Sequence, residues 1–323
     1  MTCLILQTVF FSGINLGQSM LTAPKERIVM ASLLDHALTL LDRARLAQGA
    51  FAHDASGLHL LRHAQETPQT GTVYRPLLCL VLQGAKTVGA GTRNLTVAQG
   101  QSLIVSHALP VVSRITKATP DAPYVALVMP LDLDVLRGLA SAVPPVRASQ
   151  SVDPFSIALC ATDTDLEHAL SRLIVQSEAE DTRRLLAPIT RQELHARLLL
   201  GPHAEVLKRL LWHETTASRI FRATRDIQSD LSRPLVVSEL AGRIGMSVSG
   251  FFEHFKAVTG TSPLQYQKDL RLLQARDALR GSNVKVSEIA YRVGYESPAQ
   301  FSREYARKFG LPPRQDRGAM AAE

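Results

Sequence analysis

Cysteine is scarce: three in 323 residues, Cys3, Cys79 and Cys160, with no Cys-x-x-Cys spacing. That excludes a disulfide framework and a thiolate zinc site, and fits a reducing compartment. Cys79 falls in an apolar run, where a thiol behaves as a small hydrophobe. The ten histidines include no His-x-His pair; His53, His59 and His63 precede the strand-like region and His107 stands alone. A divalent ion needs several converging N and O donors. No metal, cofactor or catalytic residue is therefore expected. Long apolar runs are also missing. Leu4 to Phe11 makes an apolar start, but Ser12, Gly13 and Asn15 break it and no basic segment precedes it. It is too short to span a bilayer. Residues 1–30 read as disordered, or as following a start codon placed too early, with Met20 or Met30 the true start. No other stretch approaches membrane-spanning length, so a soluble, cytoplasmic protein without membrane contact is expected.

What the chain does contain is a duplication. Ser238-Glu239-Leu240-Ala241-Gly242-Arg243-Ile244-Gly245-Met246 recurs 49 residues later as Ser287-Glu288-Ile289-Ala290-Tyr291-Arg292-Val293-Gly294-Tyr295. In the first copy Val237, Leu240, Ala241 and Ile244 share one helix face at i, i+3, i+4, i+7 spacing. Ala241 is small where a second helix must cross, Gly245 suits a turn with positive φ, and Ser247 suits an N-cap. Phe251, Phe255 and Val258 then form the inner face of a second helix. The second copy repeats this with Ile289, Ala290, Val293, Gly294 and the Ser297-Pro298 cap pair, followed by Phe301 and Tyr305. Ala241 to Phe255 is 14 positions and Ala290 to Tyr305 is 15, so the second turn is one residue longer. Two helix-turn-helix units are predicted, over about 236–258 and 286–309.

Val286–Pro313 (V-S-E-I-A-Y-R-V-G-Y-E-S-P-A-Q-F-S-R-E-Y-A-R-K-F-G-L-P-P) resembles the C-terminal signature of the AraC/XylS family of bacterial transcription regulators. The bridge Gly260-Thr261-Ser262-Pro263-Leu264-Gln265-Tyr266, with Leu270-Arg271-Leu272 after it, is similar to that family too. The resemblance implies an all-α DNA-binding domain, about 219–318, of two helix-turn-helix subdomains joined by one long helix. Each would place a recognition helix in the major groove of double-stranded DNA, in successive segments about 34 Å apart. Charge agrees. The chain carries +7 overall, and residues 219–323 hold 17 Lys and Arg against 11 Asp and Glu. The excess sits where phosphates would be neutralised.

The remaining chain, 31–213, reads as a separate domain of an α+β protein. Ser32–Ala47 is predicted helical. Short strands and turns follow from about Leu58 to Pro130. Leu77 to Leu82 is a continuous apolar run suited to a strand buried on both sides, and Gly84 and Gly89-Ala90-Gly91 punctuate a hairpin. A sandwich or small barrel is expected. The Arg75-Pro76-Leu77-Leu78-Cys79-Leu80-Val81-Leu82-Gln83-Gly84 segment resembles the cupin-like effector domain found ahead of many AraC-type DNA-binding domains. That resemblance implies a sensor for a small effector. Arg75 is the candidate contact for an anionic effector, with a plain salt bridge as the alternative. Residues 131–213 turn helical again, with stripes at Leu166, Leu170, Leu173 and Ile174, at Leu194, Leu198 and Leu199, and at Val206, Leu207, Leu210 and Leu211. In the family's layout such helices often form a homodimer interface. The hinge is placed near His213–Ser218, with Trp212 packed beside it.

By position in the family motif, the second recognition helix would read bases with Pro298, Ala299, Gln300 and Arg303. Arg303 would pair with guanine and Gln300 with adenine. Arg307, Lys308 and Ser297 would face phosphates. The first helix offers Ser249, Phe252 and Glu253 to bases, with Ser247 and Lys256 near the backbone. Glu253 departs from the family pattern, since it repels phosphate; an ion pair with Arg243 or Lys256 is its alternative role. The reading is a ligand-responsive activator or repressor that contacts RNA polymerase. Alternatives are a constitutive regulator whose barrel serves assembly, and a DNA-repair enzyme, which would need the cysteine cluster this chain lacks.

Overall fold

The computed structural model describes residues 24–142, 153–211, 215–281 and 284–320. Helix α1 (Pro24–Arg43) leads into β1 (Gly49–His53), β2 (Leu58–His63), β3 (Thr70–Tyr74), β4 (Leu77–Gln83), β5 (Ala85–Ala90), β6 (Arg93–Ala98), β7 (Gln101–Val105), β8 (Leu109–Lys117) and β9 (Tyr124–Pro130). After α2 (Leu133–Ala140) comes β10 (Ile157–Ala161). All pairings are antiparallel, in a six-stranded sheet β1-β2-β9-β4-β7-β10 facing a four-stranded sheet β3-β8-β5-β6.

Side-chain alternation explains the layering. Leu78, Leu80 and Leu82 of β4 point to one face of the large sheet, where α1, α2, α3 (Thr164–Gln176), α5 (Ala187–Leu200) and α6 (Ala204–Leu211) cover them, with the short α4 (Glu180–Leu185) joining α3 to α5. Cys79 and Val81 point to the other face, into the barrel. That is why β4 reads as unbroken apolar sequence: it is buried on both sides. The helical stripes predicted over 131–213 lie in the outer core, with Val206 packed against it; Leu210 is buried but outside that cluster. Several expectations need correction. The first helix starts at Pro24, so residues 24–30 belong to it, and it ends before Ala47. The barrel begins at Gly49, so His53, His59 and His63 lie within β1 and β2 and not ahead of the strands. Strand β10 pairs with β7 from within the stretch read as helical. Trp212 and the first two residues of the predicted hinge, 213–214, lie outside the described residues, as does most of the N-terminal extension, while residues 216–218 of that hinge belong to the helix that follows.

The C-terminal helices are α7 (Thr216–Ser229), α8 (Val237–Arg243), α9 (Val248–Thr259), α10 (Pro263–Gly281), α11 (Val286–Arg292), α12 (Pro298–Phe309) and α13 (Pro313–Met320). Helix α10 is the shared spine. Tyr266 and Leu270 near its start join the core of the first unit, and Leu272, Ala275 and Leu279 join that of the second. The first unit's core is continuous with the barrel interior. Polar contacts close the same seam. Tyr266 Oη donates to the Ala108 carbonyl at 2.6 Å, and Ser156 donates to the Val258 carbonyl from Oγ at 2.6 Å and from its amide at 2.9 Å. His107 is buried as a neutral imidazole: Nε2 donates to the Ala217 carbonyl at 3.0 Å, and Nδ1 accepts from Ser106 Oγ at 2.8 Å. Burial depresses its pKa to about 4, against the partial opposition of that carbonyl.

Candidate DNA-binding interface

The two predicted units superimpose in logic residue by residue. Gly245 and Gly294 both adopt positive φ, +69° and +90°, in the turn. The next amide, Met246 or Tyr295, donates back to Ala241 or Ala290 at 3.0 and 2.9 Å, closing the first helix of each unit. Ser247 and Ser297 cap α9 and α12, accepting from the amides of Gly250 and Gln300. Gly260 and Gly310 end these helices at φ near +80°. The loop before α12 is one residue longer than that before α9, as the spacing predicts.

Burial splits each second helix cleanly. Phe251, Phe255 and Val258 are buried on α9, while Ser249, Phe252, Glu253 and Lys256 face solvent. Phe252 is 37% exposed, a large apolar side chain left open on a polar face. On α12 Phe301 and Tyr305 are buried, Ala299, Gln300, Arg303 and Arg307 are exposed, and Pro298 is half-buried at the first helical position. Among the described residues, the side chains of Lys256, Arg303 and Arg307 make no hydrogen bond or ion pair. Their charges stand free for phosphate or base edges. Glu253 pairs with neither Arg243 nor Lys256 among the described residues; Arg243 lies 3.7 Å from Asp226 instead.

Two site residues differ from expectation. Lys308 does not point outward: its Nζ is 2.6 Å from Asp269 Oδ1 on α10, in a largely buried pair. The amphipathic spacing placed Lys308 on the outer face, but α10 crosses close enough to claim it. Arg75 stands exposed between β3 and β4. It is not among the residues that line the cleft of about 700 Å³ bounded by Ser56, Met129, Asp132, Val135, Leu173 and His195.

Sequence reasoning missed the polar supports behind the reading helix. Glu304 accepts from Tyr295 Oη at 2.8 Å, Lys268 Nζ at 3.1 Å and Gln300 Nε2 at 3.3 Å. Burial raises its pKa, but these three donors outweigh burial and hold the carboxyl below its ordinary value. Asp316 of α13, itself buried, accepts from Tyr305 Oη at 2.6 Å and from Arg276 Nε at 3.0 Å, which fixes α12 against α10. A polar residue at an inward helical position was the only available signal.

Similarity to known proteins agrees with this geometry. A family model described as the AraC-type transcriptional regulator N-terminus matches residues 54–206, and a helix-turn-helix domain model matches residues 240–319. The chain belongs to the AraC/XylS family of transcription regulators. It is 30% identical over 144 residues to the HTH-type transcriptional activator RhaS of Escherichia coli, covering 44% of this chain and 51% of that one. It is 27% identical over 210 residues to a probable thc operon regulatory protein of Rhodococcus erythropolis, covering 60% and 62%. The matches thus span between half and two thirds of these relatives. ToxT from Vibrio cholerae has the same fold, with a TM-score of 0.52 at 11% identity over 80% of this chain and 97% of that one. For this AraC/XylS member the family therefore accounts for both halves, barrel and paired helix-turn-helix units. Its relatives are regulators, not enzymes. Among the described residues no helix is long and apolar enough to cross a membrane.

Proposed function

We propose that this protein is a sequence-specific DNA-binding transcription regulator whose operator affinity answers to a small effector in the barrel. The observation that carries the DNA-binding part is the matched pair of recognition helices, each with its apolar face buried and its polar face open. On α12, Arg303 reads guanine and Gln300 adenine, with Pro298 and Ala299 lining the helix start against bases. On α9, Ser249, Phe252 and Glu253 meet base edges; Phe252 suits a thymine methyl and Glu253 suits cytosine N4. Ser247, Lys256, Ser297 and Arg307 hold phosphates. Both serine hydroxyls accept a cap amide and keep their own proton to donate.

Effector control is supported by the single core that runs from the barrel into the first unit. A ligand that prefers one arrangement of that core shifts the disposition of α9, and hence occupancy of the promoter. The relative RhaS is described as a transcriptional activator; we extend activation to this chain, acting in the cytoplasm through contact with RNA polymerase. Exposed Val175, Leu185, Leu186 and Ile189 support a homodimer through the helical layer.

The test is a genome-wide DNA pull-down with the purified protein against a Gln300→Ala/Arg303→Ala double variant. Discrete sites upstream of genes, lost in the variant, are expected. Uniform, salt-sensitive binding by both proteins would sink sequence-specific reading by α12. The competing reading, a constitutive regulator, predicts an operator affinity unmoved by any member of a metabolite panel.

A further inference from the structure

The two copies of the duplicated unit part company at three positions that meet in space. Tyr295, Gln300 and Glu304 of the second unit stand where the first has Met246, Gly250 and His254. A thioether and a glycine cannot build the chain of donors found in the second unit. There Tyr295, buried in the turn with its ring 5.3 Å from that of Phe301, donates from Oη to Glu304 Oε2 at 2.8 Å. Lys268 of α10 donates to Oε1 of the same carboxyl at 3.1 Å. The Glu304 side chain is only 13% exposed, and a donor fixes each of its oxygens. Gln300, one helical turn nearer the tip of α12, donates from Nε2 to that Oε1 at 3.3 Å. Its own carbonyl oxygen has no partner among the described residues, and the side chain is exposed.

The sense of the Gln300 contact follows from charge. Burial works to raise the Glu304 pKa, but Tyr295, Lys268 and Gln300 outweigh it and hold the carboxyl below its ordinary range. It is a carboxylate at neutral pH. Tyr295 is shifted upward, by burial first and by Glu304 second, and keeps its proton to donate. A carboxylate only accepts. Gln300 therefore meets it with the amide NH2 and not with the carbonyl oxygen, which the carboxylate would repel. Reversing the amide would exchange an acceptor for a donor at the open end, and so change which base edge the side chain matches.

We propose that Glu304 is a positioning residue for base recognition. It holds the Gln300 amide in one sense, with the carbonyl oxygen turned to the groove, so that α12 selects a base with a major-groove amino group, adenine or cytosine, against the keto bases guanine and thymine. The exocyclic amine of adenine or cytosine donates to Gln300 Oε1, whereas guanine O6 or thymine O4 would meet it acceptor to acceptor. The selection sharpens the Gln300 contact proposed above and rests on α12 lying in the major groove. The first unit, with Gly250 and His254, lacks this selection at the matching position of its half-site.

Selection of bound sequences from a fully randomised duplex library by the full chain, followed by sequencing, reads base preference at every position without a known operator. The wild type is expected to favour amino over keto bases by about tenfold at one position, and Gln300→Ala to lose that preference. Glu304→Gln keeps the shape and still accepts from Tyr295 or Lys268, but it tolerates either sense of the Gln300 amide. It is expected to relax the same position to about twofold or less and to leave the Arg303 guanine position and the melting temperature as they are. Adding Glu304→Gln to Gln300→Ala should change nothing further at that position, an outcome that a merely structural role would not give. Glu304→Ala serves where Glu304→Gln fails to fold. Full preference kept in the Glu304 variants but lost in Gln300→Ala would leave Gln300 as the reader and overturn Glu304 as its positioner. A keto preference at the responding position, or equal relaxation at all positions, would overturn the proposal as well. A wild type with no preferred sequence would remove sequence-specific reading itself, and this selection with it.

Discussion

Arg271 on α10 donates to the carbonyl of Gly294 at 3.0 Å with one guanidinium nitrogen, and to that of Leu231 at 2.6 Å with another. Its third nitrogen reaches the carbonyls of Ser232 and Arg233. Leu231 to Arg233 precede the first helix-turn-helix unit, and Gly294 is the turn of the second. One side chain thus sets the angle between the two reading helices. A Cβ at Gly294 would stand 2.6 Å from the Ser232 carbonyl oxygen, so the two backbones touch directly. Arg271→Ala is expected to lower stability by about 2–3 kcal/mol, the scale of lost hydrogen bonds from a charged group. It should also weaken an operator with two half-sites more than a fragment carrying one. Urea melts and binding to both DNA lengths check this; equal losses on the two lengths would remove the bracing role.

Arg303 and Arg307 lie one helical turn apart on α12, both exposed. Their proposed roles differ and so do the expected consequences. Arg303→Ala should cost about 1–3 kcal/mol and relax preference at one base pair. Arg307→Ala should weaken all sequences alike and lower the salt slope by about one. Binding to a randomised operator library at two salt concentrations distinguishes them.

Lys308 is a different case because Asp269 already holds it. Lys308→Ala is expected to cost about 1–3 kcal/mol in folding stability, between an exposed and a buried pair. The salt slope of DNA binding should stay as it is. A slope lower by one, with stability intact, would return Lys308 to the phosphate-binding set.

His107 makes the seam between barrel and α7 acid-sensitive. Its folded pKa of about 4 lies below the ordinary 6.5, so the unfolded chain binds more protons between those values. The stability it confers is full above about pH 6.5 and declines as pH falls toward 4, by about 3 kcal/mol across the window. His203, hydrogen-bonded to Ser102 and likewise depressed to about 4, adds a slope of the same sign. His107→Gln should flatten the pH dependence of the melting temperature between pH 6.5 and 4 and leave the His203 part. An unchanged slope would show that the ring does not titrate with unfolding.

Local chemistry was legible in the sequence; contact between distant segments was not. Serine caps, positive-φ glycines and the inner faces of α8, α9, α11 and α12 are decided within a few residues, so spacing alone placed them. Strand β10 was missed because its five residues are stabilised by pairing with β7, which no local pattern reports. Lys308 looked outward until α10 supplied Asp269. Cys79 looked like an ordinary small hydrophobe because its partner, Lys86, comes from the next strand. Alternation carried a usable hint there: Lys86 shares its face with Val88 and Ala90, and a cation on an apolar stripe calls for an acceptor.

The two glycine-terminated reading helices share one more property. Gly260, which ends α9, lies against the hairpin tip at Gly91, where a Cβ would come within 2.0 Å of the Gly260 carbonyl oxygen. Phe309, which ends α12, lies against β3, where a Cβ at Gly71 would approach its ring to 3.6 Å. The barrel therefore lies behind the tails of both helices like a splint, leaving their tips free. Any swelling or tightening of the barrel would be felt at both tails together, so under the proposed effector control the span between the tips, and with it the distance between half-sites that the protein tolerates, becomes the adjustable quantity.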